Sequence, residues 1–214
     1  MNGSLYTYYS LMVVCFCVSL FYLRFTLVKW LAALLLASIL AEGIAEIVGT
    51  ARHKHYVVYH FFNVVEYTLI TLALRSQINR RWLSKTMLLS LAVYWPAWFY
   101  VIFFVQSLTD FPSICGGIEA VLLIAWSLLT LIYIEPVNEL SIFRLPVFWV
   151  ALGFLIYFSG TVAFNTVYNY LRHQETERAQ DLFDVINLIS NCLLYIFLTI
   201  GILCHKRQTK SSVP

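Results

Sequence analysis

Four glutamates, Glu42, Glu46, Glu66 and Glu119, fall within long apolar runs, and no Lys or Arg lies well inside those runs to neutralise them. An ionisable side chain in hydrocarbon costs about 2.5–3.5 kcal/mol on insertion scales and persists where it faces a bundle interior and finds partners. Glu42 and Glu46 are four residues apart, which puts both on one face of a helix. His60, Asn63 and Glu66 follow at intervals of three and form a second polar stripe. Further along stand Ser159, Thr161, Asn165 and Asn169, then Asp184, Asn187 and Asn191. A carboxyl group without a basic partner in an apolar setting favours its neutral form, which suits proton-coupled or acid–base work. Glu42, Glu46, His60 and Glu66 also have the oxygen and nitrogen donors that a divalent metal takes, although their spacing matches no recognised metal motif. His53-Lys54-His55 lies between two apolar runs and reads as a solvated loop.

The elements that position these residues follow from composition. Of 214 residues, 61% are hydrophobic and 12% charged, against about 25% charged in an ordinary soluble domain. So much apolar surface exceeds what one water-soluble core of this length holds, and lipid must solvate the surplus. A spanning helix needs about 20 mostly apolar residues. Seven such runs are present: Leu5 to Leu23, Leu27 to Val48, Tyr56 to Leu74, Thr86 to Gln106, Ser113 to Ile134, Pro146 to Leu171 and Leu182 to Cys204. The connections are short and hold most of the charge. The fold expected is therefore an all-α, polytopic membrane protein: a single seven-transmembrane-helix bundle over residues 1–214. The N-terminus lacks a basic segment and a small-residue cleavage pattern, so the first run reads as a retained helix and not as a signal peptide.

Lys and Arg placement sets the orientation. With the N-terminus outside, ten of the fourteen basic residues are cytoplasmic, the densest group being Arg75, Arg80, Arg81 and Lys85 and the next Lys206, Arg207 and Lys210. The expected topology is N-terminus outside and C-terminus cytoplasmic, in the cell's inner (plasma) membrane. In that frame the polar residues of five helices share the outer leaflet while the inner half is mostly apolar. A cavity open to the outside is the simplest arrangement that hydrates them. The competing explanation is that each Glu is protonated or hydrogen-bonded to a neighbour and only locks helix packing. Pro146 suits the first turn of the sixth helix, and Pro96 should kink the fourth. Trp30, Trp82 and Trp149 sit near the expected interfaces.

Several functions are excluded or weakened by what is missing. The net charge of +3 does not point to nucleic acid. No GxGxxG or P-loop pattern is present, so no nucleotide is expected, and neither a GxSxG elbow nor an HExxH pair occurs. No lysine lies between Leu182 and Cys204, which argues against a retinal Schiff base. Cys15, Cys17, Cys115, Cys192 and Cys204 lie in or beside apolar runs and read as small buried hydrophobes. Seven helices without an internal repeat do not favour an inverted-repeat transporter.

The run Phe148-Trp149-Val150-Ala151-Leu152-Gly153-Phe154-Leu155-Ile156-Tyr157-Phe158-Ser159-Gly160 resembles the FWxxxGxLxYxxG-like sixth helix of a group of uncharacterised bacterial seven-helix integral membrane proteins. The Glu46 region and Asn63-Val64-Val65-Glu66-Tyr67 resemble their second and third helices. The resemblance implies kinship with the membrane input segments of sensor histidine kinases. Only ten residues follow Cys204, so output is expected to pass to a separate cytoplasmic signalling partner. The function expected first is thus a receptor-like or sensory module, binding a small ligand, ion or proton among Glu42, Glu46, His60, Asn63, Glu66, Glu119, Asn165, Asn187 and Asn191. Alternatives are an intramembrane, possibly metal-assisted hydrolase acting on lipid, a proton-coupled transporter, and an assembly subunit. No cofactor is identified, and membrane lipid is the expected surrounding.

Overall fold

Apolar runs of this length satisfy their backbone hydrogen bonds internally by coiling into helices, and in the computed structural model the described residues form no other regular element apart from two short helical turns. It describes residues 2–49, 55–108, 111–135, 141–172 and 176–210, with side chains described over 7–49, 56–108, 111–135, 141–162 and 185–205. Among these are seven α-helices: α1 (Asn2–Leu20), α2 (Thr26–Val48), α3 (His55–Arg75), α4 (Arg81–Tyr100), α5 (Ser113–Ile132), α6 (Pro146–Arg172) and α7 (Thr176–Lys210). Five segments are long and apolar enough to cross a membrane: Thr26–Val48, Tyr56–Arg75, Arg81–Val105, Ser113–Ile132 and Val185–His205. In α1 and α6 the described side chains give apolar stretches at Thr7–Leu20 and Pro146–Val162.

Helix ends depart from the sequence expectation where polar residues are good helix formers. α7 begins six residues before Leu182, because Glu177, Arg178, Ala179 and Gln180 have high helix propensity. Pro96 does not end α4, which continues to Tyr100 before widening into a π turn over Val101–Val105. The turn closes with Gln106 N–H on the Val101 carbonyl at 2.8 Å, the i→i+5 bond of a π-bulge. Pro96 removes a helical N–H donor, so both departures from regular α-helix fall in the second half of this one element.

The helices pack as a ring with one outlier. α1 packs on α2, α2 on α3, α3 on α5, α5 on α6, α6 on α7, and α7 returns to α1. α4 stands outside this ring against α3. Its outward face carries Leu89, Val93, Trp95, Phe99 and, in the π turn, Phe103 and Phe104, all exposed. In water such a face would be an aggregation liability; in a bilayer it is the normal lipid contact.

The two ends of the ring are filled differently. The fully buried large side chains include Leu27, Leu31 and Leu35 of α2, Tyr67, Ile70 and Leu74 of α3, Leu123 of α5, and Leu198 and Ile202 of α7. These lie in the half containing the α1–α2, α3–α4 and α5–α6 connections. The other half is hollow.

Glycine sets the closest contact in the ring. A methyl group added at Gly201 would meet Val150 Cγ2 at 2.8 Å and the Pro146 carbonyl oxygen at 3.0 Å, and one at Gly153 would meet Phe197 Cβ at 2.9 Å. Small residues that allow such approach drive helix association where lipid removes the hydrophobic difference. Gly153 and Gly160 of the FWxxxGxLxYxxG-like run both face α7, Gly160 against Ser190. Gly201→Ala is therefore expected to destabilise the protein by about 1–3 kcal/mol through overpacking. Gly43→Ala, with nothing within 4 Å of the added carbon, should be neutral or stabilising by up to about 1 kcal/mol. Thermal unfolding midpoints in detergent for the two variants check the contrast.

Candidate functional site

The hollow half encloses a cavity of about 380 Å³, within the range of small-molecule sites. Every helix of the ring lines it and α4 does not. α1 contributes Tyr8; α2 contributes Leu34, Leu35, Ser38, Ala41 and Glu42; α3 contributes Tyr56, Tyr59, Phe62, Asn63 and Glu66. Phe111 and Pro112 close one side ahead of Gly116 and Glu119 of α5. α6 adds Tyr157, Phe158 and Thr161, and α7 adds a stripe through Asn187, Ser190, Asn191, Leu194 and Tyr195. The arrangement follows from chain direction. The C-terminal halves of α2 and α6 and the N-terminal halves of α3, α5 and α7 all lie at this end of an alternating bundle.

Of the residues singled out by sequence, Glu42, Asn63, Glu66, Glu119, Asn187 and Asn191 line the cavity together. Glu46 does not. It is exposed on α2, because the buried arc of the helix at this level runs through Ala41 and Ala45, and Glu46 falls beyond its edge. His60 does not line the cavity either. It is fully buried, with its backbone carbonyl accepting from Trp98 Nε1 at 2.9 Å. Intervals of three drift by 60° per step, so His60 and Glu66 are 120° apart around α3. The real inward stripe is Tyr56, Tyr59, Asn63 and Glu66. The Asn165 side chain lies outside the described residues, as do those of Asn169, Asp184 and His55 and the whole of His53 and Lys54. Among the described residues no group of three or more His, Cys, Asp or Glu side chains is placed to hold a metal ion. The candidate set Glu42, Glu46, His60 and Glu66 therefore forms no coordination site, since two of its four members face away from the other two. The described cysteines are all free thiols, Cys15 and Cys115 buried and Cys17 exposed.

Sequence reasoning missed the aromatic part of the lining. Tyr8, Tyr56, Tyr59, Phe62, Phe111, Tyr157, Phe158 and Tyr195 are cavity residues, whereas aromatics in an apolar run read as core or interface belt. The available signal was register: Tyr56 and Tyr59 fall seven residues before Asn63 and Glu66 respectively, two helical turns away on the same face. Ser190 is likewise the neighbour of Asn191 within the α7 stripe.

The three carboxyl groups differ in what they touch. Glu42 Oε2 accepts hydrogen bonds from Tyr9 Oη and Tyr59 Oη, each at 3.2 Å, so it is held by phenols from two neighbouring helices. Glu119 is 2% exposed, and its Oε1 is buried without a hydrogen-bond partner. Gly116, one turn before it, leaves room for Asn63, whose amide nitrogen is 3.3 Å from where a Cβ would stand. At the rim, Asn191 Nδ2 donates to both the carbonyl oxygen and Oδ1 of Asn187, at 2.9 and 2.8 Å. This orients the paired amides on α7.

Beneath the cavity a polar network joins α3, α4 and α5. Trp126 Nε1 donates to Tyr67 Oη at 3.2 Å, Tyr67 Oη donates to Ser90 Oγ at 2.7 Å, and Ser90 Oγ donates to the Met87 carbonyl at 2.7 Å. Tyr94 packs its ring 4.3 Å from that of Tyr67 and reaches the Cys115 carbonyl at 3.4 Å. Trp95 Nε1 donates to Thr68 Oγ1 at 3.2 Å. These bonds and that from Trp98 join the buried Leu83, Met87, Tyr94 and Trp98 in seating α4. No family model, no curated protein and no solved structure matches the chain; the chemistry of the cavity carries the functional argument.

Tyr67 is the shared node of this network. Tyr67→Phe leaves the buried Trp126 N–H without its acceptor and should cost about 1–3 kcal/mol. Tyr9→Phe should cost less, because Glu42 keeps the bond from Tyr59. Denaturant titrations of the two variants in the same detergent test the order.

Proposed function

We propose that the protein is a receptor-like or sensory membrane module whose cavity receives a small ligand, ion or proton from the outer side. In this reading all seven helices span the inner (plasma) membrane, with the N-terminus outside and the C-terminus cytoplasmic. The observation that carries it is the asymmetry of the ring: a polar hollow over a close-packed apolar floor. A site open toward one face and filled toward the other suits binding and release on the same side. It suits passage across the membrane less well, and the absence of an internal repeat weighs the same way. The metal-assisted hydrolase is the weaker alternative, because its intended ligands diverge.

Orientation is supported by charge. The end opposite the cavity carries Arg24, Arg75, Arg80, Arg81, Lys85 and Arg144, the excess expected on the cytoplasmic side. There Arg80 pairs with Glu135 at 3.2 Å, both largely exposed, and Arg75 Nε donates to Ser84 Oγ at 2.9 Å. Arg81 and Lys85 are exposed and offer a surface to a cytoplasmic signalling partner.

Signal transfer would run through α4. A ligand that engages Glu66 on α3 and Glu119 on α5 shifts these helices relative to one another, and α4 is bonded to both. Only interactions that differ between the two states move such an equilibrium. Pro96 and the π turn give α4 the irregular backbone at which a helix bends most readily.

The test uses Asn191→Cys in a background with the native cysteines replaced, treated in intact cells with a membrane-impermeant trimethylammonium thiol reagent. Modification from outside is expected, and hydrogen exchange in α4 and the α3–α4 connection should change once the cavity is occupied. A thiol reached only after cell disruption, or modified without any change in α4 exchange, would overturn the reading.

A further inference from the structure

The lining of the cavity has a one-sided chemistry. Among the described lining residues it contains the carboxyl groups of Glu42, Glu66 and Glu119 and no Lys, Arg or His. It also contains eight aromatic rings, five of them phenols. Carboxyl groups in a low-dielectric enclosure disfavour an anionic ligand, and a cationic one favours their ionised form. A bare divalent cation needs several converging oxygen ligands to replace its water, and among the described residues no three His, Cys, Asp or Glu side chains converge. Rings and carboxyl groups together favour an organic ammonium. Its positive charge is attracted by aromatic faces and neutralised by a carboxylate, and its carbon substituents fill the apolar part of the wall.

The three carboxyl groups are not equivalent for this purpose. Glu42 already accepts from two phenols. Glu119 has a buried oxygen without a partner, in a residue 2% exposed that borders the cavity. A buried acceptor left unsatisfied is costly and calls for an explanation; a ligand that donates to it or carries charge toward it supplies one. Glu66 borders the same space from α3, while Phe62, Tyr157 and Tyr195 provide rings from α3, α6 and α7.

We infer that the cavity is a site for a small organic ammonium ion, with Glu119 as its counter-ion and the phenol and phenyl rings of α3, α6 and α7 as its cage. This rests on the cavity being the ligand site. The volume of about 380 Å³ accommodates an amine or quaternary ammonium of modest size with room for accompanying water. The asparagine pair Asn187 and Asn191 lies on the path from the rim and offers amide oxygens to a hydroxyl or ammonium group on the way in.

The experiment compares choline with its uncharged isostere, the alcohol in which a quaternary carbon replaces the nitrogen. Binding to the purified full chain in detergent is read by calorimetry and by the shift in unfolding temperature. Choline is expected to bind at least about tenfold more tightly than the alcohol, the loss of a cation–π and ion-pair contribution of about 1.4 kcal/mol. Glu119→Gln should lower choline affinity by about tenfold or more without changing that for the alcohol. Asn191→Lys, which tethers a cation beside the cavity, should abolish choline binding and provides a second variant if Glu119→Gln does not fold. Equal binding of choline and alcohol, blocked together by Ser190→Trp, would overturn the charge preference and leave the cavity a ligand site. Choline binding that survives both Glu119→Gln and Asn191→Lys would place the cation elsewhere and overturn the assignment. Binding of neither probe would overturn the organic ammonium class, whereas failure of the outside-accessibility test above would remove the ligand site itself.

Discussion

The unfavourable burial of carboxyl groups organises this bundle. Glu42, Glu66 and Glu119 sit in helices whose other residues are chosen for lipid and for each other, and hydrocarbon offers a carboxyl group neither water nor a donor. Each must be turned inward, and three helices turned inward at one level cannot also be packed solid there. The hollow end of the ring and the aromatic residues that border it follow from that requirement. Phenols suit the place because a tyrosine presents a hydroxyl to a carboxylate and an apolar ring to its neighbours, as Tyr9 and Tyr59 do for Glu42.

The filled end supplies what the hollow end gives up. Leucine and isoleucine from α2, α3, α5 and α7 interdigitate there, and Gly153 and Gly201 let α6 and α7 approach as closely as backbone atoms allow. Packing of this kind is worth more in a membrane than the removal of apolar surface from water, because lipid tails are as apolar as the side chains they replace. One end therefore provides rigidity and the other provides chemistry. The Tyr67–Ser90–Trp126 network lies between them, where α4 is attached.

α4 is held differently from the ring helices. Its outward face is apolar, its inward face buries Leu83, Met87, Tyr94 and Trp98, and hydrogen bonds from Tyr94, Trp95 and Trp98 and to Ser90 add to its contacts with α3 and α5. Its π turn and proline place the weakest backbone in the same element.

How much of this was legible in the sequence can be argued residue by residue. The apolar runs determined the helices, since a run of about 20 residues without a polar backbone partner has no other way to satisfy its amides; the alternation of the chain then determined that Glu42, Glu66, Glu119 and Asn191 share one end. Composition could not determine rotation about each helix axis. Glu46 and Glu42 look equivalent at a spacing of four, yet Glu46 is exposed, and His60 looks continuous with Asn63 and Glu66 at a spacing of three, yet it is buried away from the cavity. Nor could the sequence say that α4 lies outside the ring, because α3 reaches α5 past it and nothing local records a contact between elements so far apart in the chain. The aromatic lining was hidden for the same reason: a phenylalanine or tyrosine reads as lipid-facing, core or cavity wall according to which neighbour it meets, and only tertiary packing decides that.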